Sequence, residues 1–169
     1  MSYRELPPLD RAHRALAELA RTGGRLAEVF ENLSHWERLW KPEDKVWNCV
    51  QVAAHLLDVE LVFGYRIRTA LAEPGQTLEP FDQDRWVDAQ RWVERPVDDV
   101  LAAFSALRKT TWTLLSELSD EEWLRSYVHR ERGPQTIADT VALLEGHDAR
   151  HLVQLGRTAE QARHARAVA

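Results

Sequence analysis

His147-Asp148-Ala149-Arg150-His151 sets two imidazoles one helical turn apart, inside a segment whose apolar spacing is that of a bundle helix. Around it, Ile137, Val141, Leu144, Asp148, His151 and Leu155 follow steps of four, three, four, three and four, the period that keeps one stripe against partner helices. Two successive positions of that stripe are ionisable. An unpaired carboxylate or imidazole held away from water costs several kcal/mol, roughly, so these groups need partners. A bound metal ion satisfies the imidazole pair directly.

The same regularity recurs in three earlier segments, which predicts an all-α four-helix bundle. The first helix is expected from about Leu9 to His35, with Leu9, Ala12, Leu16, Leu19, Leu26, Phe30 and Leu33 on one face and Gly23 marking a kink or a close helix contact. A second begins near Asn48, which caps the turn while Gln51 reaches back, and ends near Glu73 before Pro74-Gly75. Its apolar residues surround most of the cylinder, with Val50, Leu57, Leu61 and Tyr65 on one side and Val52, Leu56, Val59 and Phe63 on the other. That pattern describes a central, buried helix. The third starts at Pro96, where Asp98 and Asp99 suit the positive end of the helix dipole, and its seam reads Val97, Val100, Phe104, Leu107, Thr111, Leu114 and Leu118. The fourth follows Gly133-Pro134, with Thr136 as cap and Asp139 as reciprocal partner, and runs to about Arg163. The connections are long enough to carry short helices, expected around Trp86 to Trp92 and Asp120 to Leu124.

A chain of 169 residues fits one domain, residues 1–169 with a core from about 8 to 163, and buries a bundle core without staples. The net charge of −5 supplies no field for phosphate backbones or anionic membranes, so neither nucleic acid nor membrane is expected as a partner. The basic cluster from Arg125 to Arg132 reads as a solvated loop. No basic-apolar-small leader pattern opens the chain and no apolar run approaches the ~18 residues of a membrane span, which leads to the expectation of a soluble, cytoplasmic protein. A single cysteine, Cys49, excludes an intrachain disulfide and reads as a small buried residue. Seven tryptophans are many for this length; most are expected to pack the core and some to wall a site.

Two ligands do not make a metal site. Zinc centres take at least about three protein ligands, and His55 is the other histidine expected on a buried helix. His55, His147 and His151 would leave coordination capacity for water or substrate, the pattern of a catalytic site. Asp58 and Asp148 are placed to accept the outer N–H of a ligating imidazole, or to act as ligands themselves. His13, His35, His129 and His164 fall at polar or terminal positions and receive no role. Neither an HExxH helix nor the paired Glu-x-x-His turns of di-iron bundles occur, and no Gly-rich phosphate loop or nucleophile elbow is present.

Four stretches carry a resemblance to a known family: Trp47-Asn48, Ala54-His55-Leu56-Leu57, Phe81-Asp82-Gln83-Asp84-Arg85-Trp86, and Gly146-His147-Asp148-Ala149-Arg150-His151-Leu152 with Gln154. The chain resembles the DinB-like, YfiT-like metal-binding four-helix bundles, which are distinct from the DNA polymerase of similar name. The resemblance spans nearly the whole chain. It implies a divalent metal, nickel or zinc, held by His55, His147 and His151, and a homodimer. It also implies transferases and isomerases that use low-molecular-weight thiols such as bacillithiol, mycothiol or glutathione. On that basis the leading expectation is a metal-dependent thiol S-transferase acting on a small-molecule electrophile. The alternatives are a noncatalytic bundle stabilised by its metal, and a metallohydrolase. Arg66 and Arg150 are candidates to hold a carboxylated cofactor, and Trp86 to cover the site.

Overall fold

In chain order the elements are α1 (Pro8–Glu31), α2 (His35–Leu39), α3 (Cys49–Ala72), β1 (Thr77–Leu78), α4 (Gln83–Gln90), a 3-10 turn (Trp92–Glu94), α5 (Val97–Ser116), α6 (Asp120–Trp123), β2 (Ser126–His129), β3 (Gly133–Thr136) and α7 (Ile137–Ala167). These come from a computed structural model that describes residues 7–168. The four long helices α1, α3, α5 and α7 form the bundle. Each of α1 and α3 packs against both α5 and α7, so α1 and α3 occupy opposite corners and the chain crosses the bundle end between them.

Side chains fix where the helices begin. Asn48 Oδ1 accepts from the Gln51 amide at 2.9 Å while Gln51 Oε1 accepts from the Asn48 amide at 3.2 Å. Thr136 and Asp139 make the same reciprocal pair, with 3.0 and 3.2 Å bonds, at the start of α7. Both are capping boxes, which satisfy amides that a first helical turn leaves without partners. A third box explains why the first helix stops short of His35: Ser34 caps Glu37, its amide donating to Glu37 Oε2 at 2.7 Å, so His35 starts α2 instead of ending α1. Gly23 marks a close contact, since a Cβ there would sit 3.3 Å from Ser105 Oγ on α5.

The connection after α6 is not a simple solvated loop. Residues 126–129 and 133–136 pair antiparallel, Gly133 takes φ 75° at the turn, and Thr77–Leu78 adds a parallel strand beside Val128 and His129. In the basic cluster, Arg125 donates to the Leu71 carbonyl at 3.1 Å and Arg130 pairs with Glu79. One arc of α3 also differs from expectation: Leu61 and Tyr65 are exposed, while the helix buries its other faces.

Two apolar clusters fill the bundle. One gathers Leu19, Phe63, Ile67, Leu115, Ile137 and Leu144 among others, the second Leu26, Phe30, Leu56, Phe104 and Leu155. Between them lies a buried polar belt of His55, Asp58, Glu60, Arg108, Thr111 and Asp148. The histidine site sits within this belt, between the two clusters. Among the described residues no helix is long and apolar enough to cross a membrane.

Candidate metal centre

The cap at Asn48 fixes the phase of α3 so that His55, two turns in, points into the bundle with no solvent exposure. From α7, His147 and His151 project to the same place from adjacent turns, as residues four apart on a helix do. The three rings meet: centroids are 4.9 Å apart for His55 and His147, 4.6 Å for His55 and His151, and 4.3 Å for His147 and His151. One ring nitrogen from each lies within 4.8 Å of the other two. His55 Nε2 and His147 Nε2 face one another at 2.9 Å.

Burial sets their protonation. Desolvation, followed by the neighbouring His151 and His147, lowers the His55 pKa to about 3 against a smaller opposing pull from Asp148. Burial and His147 lower that of His151 to about 4. Near neutral pH both rings are therefore uncharged, the form a metal requires. The hydrogen bond between His151 Nδ1 and Gln154 Oε1, 2.8 Å, fixes one tautomer: the amide oxygen accepts, so Nδ1 carries the hydrogen and Nε2 keeps its lone pair. Trp47 closes one side, its ring 4.8 Å from His55 and stacked 6.4 Å from His151.

These observations fit a divalent cation. The donor set is all imidazole and inward-facing nitrogens converge. A convergence of imidazole nitrogen lone pairs is unfavourable alone and favourable around a positive ion.

A sequence profile described as the DinB superfamily matches residues 18–155, four fifths of the chain and all three histidines. The chain belongs to the DinB superfamily. Among similar proteins, one from Oceanobacillus iheyensis bears the name "Putative metal-dependent hydrolase" and is 25% identical over 147 residues, covering 87% of this chain and 84% of that protein. A second from the same organism, with the same descriptive name, is 27% identical over 109 residues, 64% of this chain and 63% of that protein. The fold matches that of YfiT from Bacillus subtilis, described as a probable metal-dependent hydrolase with an unusual four-helix bundle topology, at a TM-score of 0.85 and 19% identity, covering 93% of this chain and 90% of that one.

Within this DinB bundle the two aspartates have partners that were not foreseen. Asp148 was expected to serve the metal site, but its Oδ2 pairs with Arg108 Nη1 at 2.8 Å, and its Oδ1 stands 3.6 Å from His147 Nδ1, too far for a hydrogen bond. Arg108 also pairs with Glu60 at 2.6 Å and donates to the Leu19 carbonyl at 3.2 Å, tying α5 to α1, α3 and α7. Burial disfavours the guanidinium charge, yet Asp148 and Glu60 outweigh it and hold the Arg108 pKa above its ordinary value. Asp58 Oδ1 accepts from Gln90 Nε2 at 2.8 Å, and Gln90 in turn accepts from Trp92 Nε1 at 3.0 Å. Burial raises the Asp58 pKa against that hydrogen bond, and among the described residues Oδ2 has no hydrogen-bond partner.

Arg66 and Arg150 do come together, in the wall of a cavity that also reaches His147. Trp86 does not line that cavity; it packs edge-on against Phe81, 5.1 Å between centroids, and Phe81 forms the wall. His129, given no role from its position in the sequence, is buried on β2 in the same wall.

Proposed function

We infer that this protein is a divalent-metal-dependent enzyme of small-molecule chemistry, with His55, His147 and His151 holding nickel or zinc. The observation that carries this reading is the meeting of three ring nitrogens within 4.8 Å, in an apolar-flanked belt that keeps His55 and His151 neutral. A bound divalent ion supplies Lewis acidity, which lowers the pKa of a thiol or water sharing its coordination. Gln154 holds the tautomer of His151, Trp47 screens two of the rings from solvent, and the Arg108 network anchors α7 where it presents His147.

The reaction proposed is transfer of a low-molecular-weight thiol to an electrophile, in cytoplasmic homodimers. Sulfur forms a bond to the electrophilic carbon, the leaving group departs with its bonding pair, and the thiol proton passes to solvent. The resemblance to thiol-using family members supports this choice. Hydrolysis is the second reading, favoured by the names of the curated relatives.

Both are tested by mass spectrometry on the metal-loaded protein with 1-chloro-2,4-dinitrobenzene and, in separate reactions, bacillithiol, mycothiol or glutathione. Metal-dependent formation of one conjugate, lost in His55→Ala, is the expected result. No metal-dependent rate with any thiol, together with metal-dependent cleavage of ester or amide substrates, would replace transfer by hydrolysis.

A further inference from the structure

Beside the histidine cluster, between α3, the β2–β3 hairpin and α7, lies a cavity of about 300 Å³ onto which His147 opens. Arg66, Arg132 and Arg150 stand in its walls, against Glu131 as the sole carboxylate there. Arg66 is only 2% exposed, donates to the Glu79 carbonyl at 3.1 Å, hydrogen-bonds to Tyr127 and lies over the Phe63 ring at 5.4 Å. Among the described residues, none of these three guanidiniums has a carboxylate within the 4.0 Å of an ion pair. Arg108, buried to a similar degree in the same bundle, has two.

That contrast is informative for Arg66, because a buried charge without a counterion is costly, by several kcal/mol, roughly; Arg132 and Arg150 stand at exposed positions on the rim. A guanidinium fork left facing a cavity is satisfied by a ligand that brings its own negative oxygens. His129 adds a neutral donor: its Nδ1 accepts from the Glu131 amide at 3.2 Å, which leaves the hydrogen on Nε2. Burial lowers the His129 pKa, with Arg132 and Arg66 adding to the effect, so the ring stays neutral near pH 7. With three guanidiniums against Glu131 the wall keeps a net positive charge that attracts an anionic group, and a planar carboxylate matches a guanidinium fork in a bidentate pair.

The geometry points to a carboxylate-binding subsite, formed by Arg66, Arg132 and Arg150 around this cavity, that holds one end of the substrate while its reactive end reaches His147. The assignment of the reactive end rests on the metal reading above; the subsite itself does not. The hairpin thereby becomes part of the site, contributing Arg132 and His129 from residues outside the bundle helices.

The test is calorimetric titration of the full chain, as purified and after chelation of metal, with glutarate, its uncharged diamide glutaramide, and inorganic phosphate. Glutarate should bind at least tenfold more tightly than glutaramide and more tightly than phosphate, with and without metal. Arg132→Gln and Arg150→Gln, both at exposed positions that leave the fold intact, should each weaken glutarate several-fold, and the pair together should abolish binding. Arg66→Lys, which keeps the charge and loses the fork, should weaken it as well. Equal affinity for acid and diamide, unchanged binding in the Arg132/Arg150 double variant, or tighter phosphate binding would overturn the assignment. His55→Ala separates the two readings: a metal-free variant that still binds glutarate supports the subsite whatever becomes of the metal, and loss of glutarate binding there in a folded protein would overturn its independence.

Discussion

Replacing Arg108 by methionine removes the cation that two buried carboxylates share. Glu60 and Asp148 have side chains 0% and 3% exposed, and Arg108 approaches them at 2.6 and 2.8 Å. Deleting one partner of a buried pair costs about 3–5 kcal/mol, because the remaining charge is left desolvated. Here two like charges remain and the Leu19 carbonyl loses a donor, so the upper part of that range applies. With a urea slope of about 2 kcal/mol per molar, the unfolding midpoint of metal-free protein should fall by roughly 2–2.5 M. Against a total stability of about 5–15 kcal/mol, much of the fold's margin would disappear. The compensating triple variant Glu60→Leu, Arg108→Met, Asp148→Leu removes all three charges and should recover most of the loss, since a well-packed apolar replacement of a buried ion cluster is often neutral or stabilising. A midpoint shift below about 0.5 M for Arg108→Met, corresponding to about 1 kcal/mol at that slope, would refute this account of the belt. A triple variant no more stable than the single one would do the same.

Two further outcomes follow from the same geometry. The metal-free protein should lose stability as pH falls below about 6.5, because His55 and His151 have folded pKa values near 3 and 4, so the unfolded chain binds more protons in that window. Each contributes a slope of up to about 1.4 kcal/mol per pH unit, readable by chemical denaturation between pH 7 and 5, and a flat profile would show that the rings are not buried and neutral. Gln90→Ala leaves the buried Asp58 without its 2.8 Å donor and should cost about 1–3 kcal/mol, with a correspondingly lower thermal midpoint; no change would mean that α4 does not hold this carboxylate.

The helices and the histidine cluster were legible because they rest on local signals. Asn48 with Gln51 and Thr136 with Asp139 mark their own helix starts, and the four-residue spacing of His147 and His151 survives folding unchanged. The belt was less legible. On the third long helix the apolar reading followed Leu107, Leu114 and Leu118, whereas the buried stripe runs through Phe104, Arg108, Thr111 and Leu115. Steps of four, three and four through Phe104 were equally available, but a charge at a seam position reads as solvent-facing until its partners on other helices are known. Glu60 was hidden for the same reason. The hairpin was missed because its strands are four residues each and flank a charged turn, giving too short an alternation to register. Strand pairing with β1, nearly fifty residues earlier, is a nonlocal contact that no local pattern announces. The position of the site between two apolar clusters likewise depends on how four helices align along their lengths.

The most direct test of the central claim is elemental analysis of protein purified without an affinity tag, beside His55→Ala, His147→Ala and His151→Ala at matched fold by circular dichroism. Close to one equivalent of a single divalent metal per chain in the parent, and its loss in every variant, is what three converging imidazoles require. Metal content that is negligible in the parent after exposure to nickel or zinc, or equal in parent and variants, would contradict it.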